Sequence, residues 1–261
     1  MSTTTLTAPT RVNTAGVHTP PGLGRLVAVE LRKMVDTRAG FWLQVAMVAL
    51  TVVVVVVRLL VGNAAHHTFQ SVLDAGLQPA AILLPVLGIL LVTSEWSQRT
   101  GLITFTLVPV RSRVLGAKLI ASLLAAVAML AVSVAVVAAG VLVSSPGVEG
   151  TWSDAAPLIA QSAVYLTTGM VVGVAFGAIL LAPTPAIVLR FALPTAWMAV
   201  LSLPVFSGVG PWVDNARALG QMTAEVLSAT QWAHAGTSLA IWMVLPLLIG
   251  AWRITRREIT A

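Results

Sequence analysis

Six stretches of about 20 mostly apolar residues, each long enough to cross a bilayer as a helix, divide this chain at 41–61, 77–94, 115–143, 157–181, 186–206 and 237–252. Of its 261 residues 57% are hydrophobic and only 9% are charged, against about 25% charged in a soluble domain. So few charges cannot cover a water-facing surface. In hydrocarbon every backbone N–H and C=O must be bonded internally, which favours the helix. The expected fold class is therefore an all-α polytopic membrane protein with six transmembrane helices. The absence of cysteine removes disulfides and thiolate metal sites.

Charge sets the expected orientation. With six spans both termini lie on one side. Placing them in the cytoplasm puts 13 of the 15 basic residues there, with four of the nine acids: Glu30, Asp36, Glu95 and Glu258. The other side keeps Arg58 and Arg217 against five acids. Excess Lys and Arg on cytoplasmic loops is the rule for membrane proteins, and the inverse topology violates it. The same distribution turns the net charge of +6 away from a nucleic-acid partner and toward the lipid bilayer. Residues 1–21 are polar, rich in Thr and Pro, and lack the apolar core of a signal peptide. They are expected to form a disordered cytoplasmic tail ahead of a transmembrane domain at 22–261.

Two further segments are amphipathic. Leu23, Leu26, Val27, Leu31, Met34 and Val35 share one helical face, opposite Arg25, Arg32, Lys33 and Asp36. This predicts a helix over about 22–38 lying in the inner membrane interface. Glu30 falls awkwardly at its apolar edge. The second segment, Val213–Thr230, places Leu219, Met222 and Val226 on one side, as an external or re-entrant helix before span six. Between spans four and five, Ala182-Pro183-Thr184-Pro185 predicts a tight turn and hence a helical hairpin.

Several chemistries are absent. No G-x-x-x-x-G-K-S/T motif occurs; the nearest fragment, Gly116-Ala-Lys-Leu, lacks the leading Gly and the hydroxyl residue that meets Mg²⁺. The chain is expected to be non-catalytic and to bind no nucleotide itself. The four histidines, His18, His66, His67 and His234, fall outside the six stretches, which leaves no expected metal site. No carboxylate falls at mid-depth, where proton- or sodium-coupled transporters usually place one. Arg58 and Arg190 lie toward span ends, from which their side chains can snorkel to the interface.

Within the spans, Gly169, Gly173 and Gly177 recur every fourth residue and line one face, which lets a neighbouring helix approach closely, in the same chain or in a second copy. Pro194 and Pro204 are expected to kink span five. Gln44, Gln161, Tyr165 and the pair Thr167 and Thr168 are the few polar groups in the spans. They either bond between helices or line a substrate pathway, for which Gln44, Gln161 and Tyr165 are the candidates.

The segment from Glu95 to Lys118 stands apart. It holds Glu95, Trp96, Gln98, Arg99, Thr100 and Gly101, then Leu102, Ile103, Phe105 and Leu107, then Pro109, Arg111, Arg113 and Lys118. Its composition suits a short helix parallel to the membrane that ends at Pro109, or an interfacial loop whose arginines bind lipid phosphates.

Ser94-Glu95-Trp96-x-x-Arg99-Thr100-Gly101, followed by Val108-Pro109-Val110-x-x-Arg113 and Lys118, resembles the pattern between spans two and three of ABC-2 type transporter permeases. The order Thr100-Gly101 inverts the usual Gly-Thr. Glu30-Leu31-Arg32-Lys33 also resembles that family's interface helix and suggests that Glu30 faces another part of the protein. The resemblance implies the transmembrane permease subunit of an ATP-driven transporter in a bacterial plasma membrane, usually an exporter. Two such subunits, as a homodimer or heterodimer, pair with a dimer of separate cytoplasmic ATPase subunits that hold ATP and Mg. Glu95, Trp96, Gln98, Arg99, Thr100, Gly101, Phe105, Arg111 and Arg113 would form the coupling helix and its anchor, and Glu30, Arg32 and Lys33 would belong to the interface helix. The substrate class that suits the apolar pathway is a drug, lipid or small peptide. The alternatives are an ATP-independent scaffold or immunity protein that docks a regulator through the same loop, or a secondary transporter or channel.

Overall fold

A computed structural model describes residues 21–61, 67–97, 111–145 and 150–256, with the side chains of Ser97 and Arg111 left aside. Among the described residues every regular element is helical: α1 (Leu23–Asp36), α2 (Arg38–Val61), α3 (Phe69–Ser97), α4 (Arg111–Ser144), α5 (Ala155–Leu180), α6 (Pro183–Leu201), a 3-10 turn at Pro204–Phe206, α7 (Gly210–Val213), α8 (Asn215–Ala224), α9 (Ala229–Leu239), a π turn at Ala240–Val244 and α10 (Leu245–Arg256). Six helices are long and apolar enough to cross a membrane, α9, the π turn and α10 running on as the sixth.

The mostly buried α3 and α5 form the centre of the bundle, and α2 and α6 lie outermost with most of their apolar side chains exposed. The glycine spacing of α5 sets the central packing. A Cβ on Gly173 would lie 2.8 Å from Pro85 Cα of α3, and one on Gly177 would lie 3.1 Å from the Ile89 carbonyl oxygen. Backbones meet there because no side chain intervenes. The stripe is thus occupied by α3 of the same chain. Pro79 and Pro85 inside α3 each withhold an N–H from the carbonyl four residues earlier.

The corner between α1 and α2 has a local cause. Thr37 is extended (φ −81°, ψ 134°), and its Oγ1 accepts a hydrogen bond from the Gly40 N–H at 3.2 Å. This satisfies one of the donors that a helix N-terminus leaves open. A Cβ on Gly40 would lie 2.7 Å from Thr37 Oγ1, so the close turn requires glycine.

Several boundaries differ from the sequence expectation. Helix α3 begins eight residues before 77, because the polar groups of its first turns have partners. Gln70 donates to the Ala224 carbonyl, and Asp74 accepts from Thr223 Oγ1 at 2.6 Å. The expected turn at Ala182–Pro185 is shorter. Leu181 caps α5 in the left-handed region (φ 57°) and Pro183 already opens α6, where a missing N–H and a fixed φ are harmless. Helix α6 stops at Leu201 rather than at 206, with Pro204 starting a separate 3-10 turn. The amphipathic segment narrows to Asn215–Ala224: Leu219 and Met222 are buried, while Val226 lies past its end and is exposed. Ser228 and Gln231 then form a capping box that starts the last span at Ala229. His234 therefore lies within a spanning helix, against the edge of Trp212.

Candidate functional site

Where α1, α3 and α4 converge, four charged side chains close on one another. Lys118 of α4 donates to Glu30 Oε2 of α1 at 2.7 Å, to Glu95 Oε1 of α3 at 2.9 Å and to the Leu91 carbonyl at 3.1 Å. An ammonium has three donors, and each has an acceptor here. Lys33 adds 2.8 Å to Glu30 Oε1 and 2.7 Å to Glu95 Oε1. Among the described residues two acids meet two bases, so these four side chains together are neutral. Lys118 and both carboxylates are about 95% buried, whereas Lys33 keeps an edge to the outside.

The sequence builds this site from helix periodicity. Val27, Glu30 and Met34 fall on the buried line of α1, spaced three and four apart. Glu30 thus points inward, which explains its place on the apolar edge. Lys33, grouped with the outer polar face by pattern, instead reaches back to Glu30 and across to Glu95. Burial pulls the Lys33 ammonium down, but the Glu95 and Glu30 carboxylates outweigh it and hold the group above the ordinary lysine value.

The other expected site residues divide. Among the described residues Arg32 pairs with Asp36 alone, at 3.1 Å on the exposed side of α1. Trp96 is half-buried against Val92, Leu115 and Ile254, which brings the end of α10 beside the roots of α3 and α4. Arg113 donates from Nη2 to the Pro21 carbonyl at 3.2 Å and ties the chain before α1 to α4. Arg111 is the first residue of α4. Gln98, Arg99, Thr100, Gly101 and Phe105 lie outside the described residues. What the structure shows is the frame from which their segment departs.

Two of the three pathway candidates serve as ties between helices. Gln44 donates to the Met34 and Gly40 carbonyls at 3.0 and 3.2 Å and braces the α1–α2 corner. Gln161 donates to the Met222 and Glu225 carbonyls at 3.0 and 2.7 Å and accepts from the Leu227 N–H at 2.9 Å. It pins the link between α8 and α9 to α5. Gln44 also lines an apolar cavity of about 390 Å³ between α1, α2, α3 and α4, and Tyr165 lines one of about 320 Å³ between α3, α5, α6 and α8, together with Arg190 and Asn215.

Sequence reasoning gave Arg190 a snorkelling role. The structure places it eighth of the 19 residues of α6, with Nε buried and without a hydrogen-bond partner. Asn215, Gln78 and their share of this cavity were not anticipated. Among the described residues no group of three metal-ligating side chains occurs.

No protein-family model matches the chain, and no curated protein matches it either.

Proposed function

We propose that this chain is the membrane-spanning permease subunit of an ATP-driven transporter of the ABC-2 type, acting as an exporter of an amphiphilic or hydrophobic substrate in a bacterial plasma membrane. A separate ATPase subunit holds ATP and Mg, and a second permease subunit completes the pathway. The ion cluster carries this reading. It cross-links α1, α3 and α4 at the roots of the 98–110 segment. A partner that grips that segment would pull on three helices at once, because charge-assisted hydrogen bonds in a low dielectric resist separation. Nucleotide closure on the partner is then a two-state event that biases the bundle. The motif resemblance supplies the class of partner. The basic residues of α1 and the start of α4 gather at this end, which suits a cytoplasmic face.

The absence of cysteine makes the test clean. A single cysteine introduced as Gln98→Cys should cross-link, in native membranes, to a soluble subunit that hydrolyses ATP. Glu95→Gln should weaken ATP-driven transport while the chain still reaches the membrane. A chain that forms no cross-link to an ATP-hydrolysing subunit, and whose Glu95→Gln variant transports normally, would remove the coupling assignment.

A further inference from the structure

The cavity between α3, α5, α6 and α8 has the chemistry of a ligand site that the coupling reading leaves unused. Its lining includes Arg190, Asn215, Tyr165 and Gln78, set among apolar side chains such as Leu84 and Pro194, and among the described residues it contains no carboxylate. Among the described residues Arg190 makes no ion pair; its Nε is buried without a partner, and its Cζ lies 5.6 Å from the Phe191 ring centre. Asn215 is 5% exposed, and its Oδ1 is likewise buried without a partner. Asp74, one turn along α3 from Gln78, is held by the Thr223 hydroxyl at 2.6 Å and does not line the cavity. Lys118 shows what the fold does with a structural cation: every donor finds an acceptor. Arg190 shows the opposite.

We propose that this cavity binds the head group of an acidic amphiphile, a single negative charge carrying a nearby hydroxyl. The anion accepts from the Arg190 guanidinium, and the hydroxyl donates to Asn215 Oδ1. This assigns a partner to each orphaned group, a donor for the acceptor and an acceptor for the donor. Buried arginine inside a membrane protein faces a bundle interior or a cavity and there meets its counter-charge. The ligand's apolar part meets Leu84, Leu166, Pro194 and Leu219 of the cavity lining. That the occupant is the transported substrate rests on the transporter reading above; that the cavity binds it does not.

The test uses the full chain alone, without an ATPase, so that its result is independent of the coupling assignment. Native mass spectrometry of the detergent-solubilised protein titrates phosphatidylglycerol against phosphatidylcholine of the same acyl chains. One site with at least about tenfold preference for phosphatidylglycerol is expected, the scale of a charged hydrogen bond. Arg190→Gln should abolish that preference, Arg190→Lys should keep part of it, and Asn215→Ala should reduce it. Arg190→Gln should also leave the thermal midpoint unchanged or raised, because it removes a half-buried charge whose Nε has no partner. Glycerol phosphate or inorganic phosphate that displaces the lipid, or binds in its stead at a site lost in Arg190→Gln, assigns the same chemistry to a soluble anion. Equal binding of the two lipids with no phosphate bound, or a preference that survives Arg190→Gln, would overturn the proposal.

Discussion

Lys118 and Glu30 stand 88 residues apart in the chain and meet at 2.7 Å with both side chains about 95% buried. The contact joins an amphipathic helix to the first turns of a span. Removing Lys118 leaves two buried carboxylates to share the single ammonium of Lys33. Lys118→Met is therefore expected to destabilise the protein by about 3–5 kcal/mol, the usual loss when one partner of a buried pair is deleted. Arg32→Ala, which breaks only an exposed pair, is expected to change stability by less than about 1 kcal/mol. Tryptophan fluorescence during thermal unfolding in detergent reads both.

The cluster also predicts a pH dependence. The folded-state pKa of Lys33 is raised above 10.5 by its two carboxylates. Its stabilisation is then fully present below that value and is lost as pH climbs through the higher folded pKa. The thermal midpoint of the native chain should fall on moving from pH 9 into strongly alkaline buffer. Lys33→Met should flatten part of that decline. An equal alkaline fall in Lys33→Met would assign the effect to other groups.

The glycine stripe makes a graded prediction. Gly173→Ala drives a methyl to 2.8 Å from Pro85 Cα, Gly177→Ala to 3.1 Å from the Ile89 carbonyl oxygen, and Gly169→Ala only to 3.6 Å from Pro85 Cγ. Overpacking a close interface costs about 1–3 kcal/mol, while alanine gains about 1 kcal/mol of helix propensity over glycine. The expected order of stability is Gly169→Ala above Gly177→Ala above Gly173→Ala, with the first near the native chain. Melting of the three variants side by side decides it.

Gln161 holds three backbone groups of the α8–α9 link. Gln161→Leu leaves the Leu227 N–H and the Met222 and Glu225 carbonyls without that partner. Unsatisfied buried groups cost about 1–3 kcal/mol each, so the link should open before the bundle does. Hydrogen exchange at the Leu227 amide should quicken markedly, with little change in the amides of α3. Uniform quickening across the molecule would show that Gln161 supports the whole fold instead.

How far these features were readable from the chain varies with their range. The α1 helix was legible because Val27 and Met34 repeat with helical period, and Glu30 announced itself by breaking that pattern. The tight approach of α5 was legible from Gly169, Gly173 and Gly177, but the occupant was not: any helix fits a glycine face, and only packing chose Pro85 of α3. The early start of α3 escaped because Gln70 and Asp74 read as loop residues until Ala224 and Thr223 supply partners about 150 positions later. Arg190 escaped for the related reason that position along a helix does not tell whether a side chain turns to the interface or to a cavity.

Composition and apolar run length alone determined that this chain builds six helices suited to a membrane, since the absence of water at the hydrocarbon core leaves few other ways to bond a backbone. Charge counting alone pointed to one preferred orientation. Tertiary structure alone decided that Glu30, Lys33, Glu95 and Lys118 are one neutral unit, that the glycine stripe is filled from within the chain, and that Arg190 faces a cavity with no counter-charge among the described residues. The physical reason is range. Hydropathy is a property of each residue in its solvent, whereas pairing, close approach and the lack of a partner are relations between residues that only the folded bundle brings together.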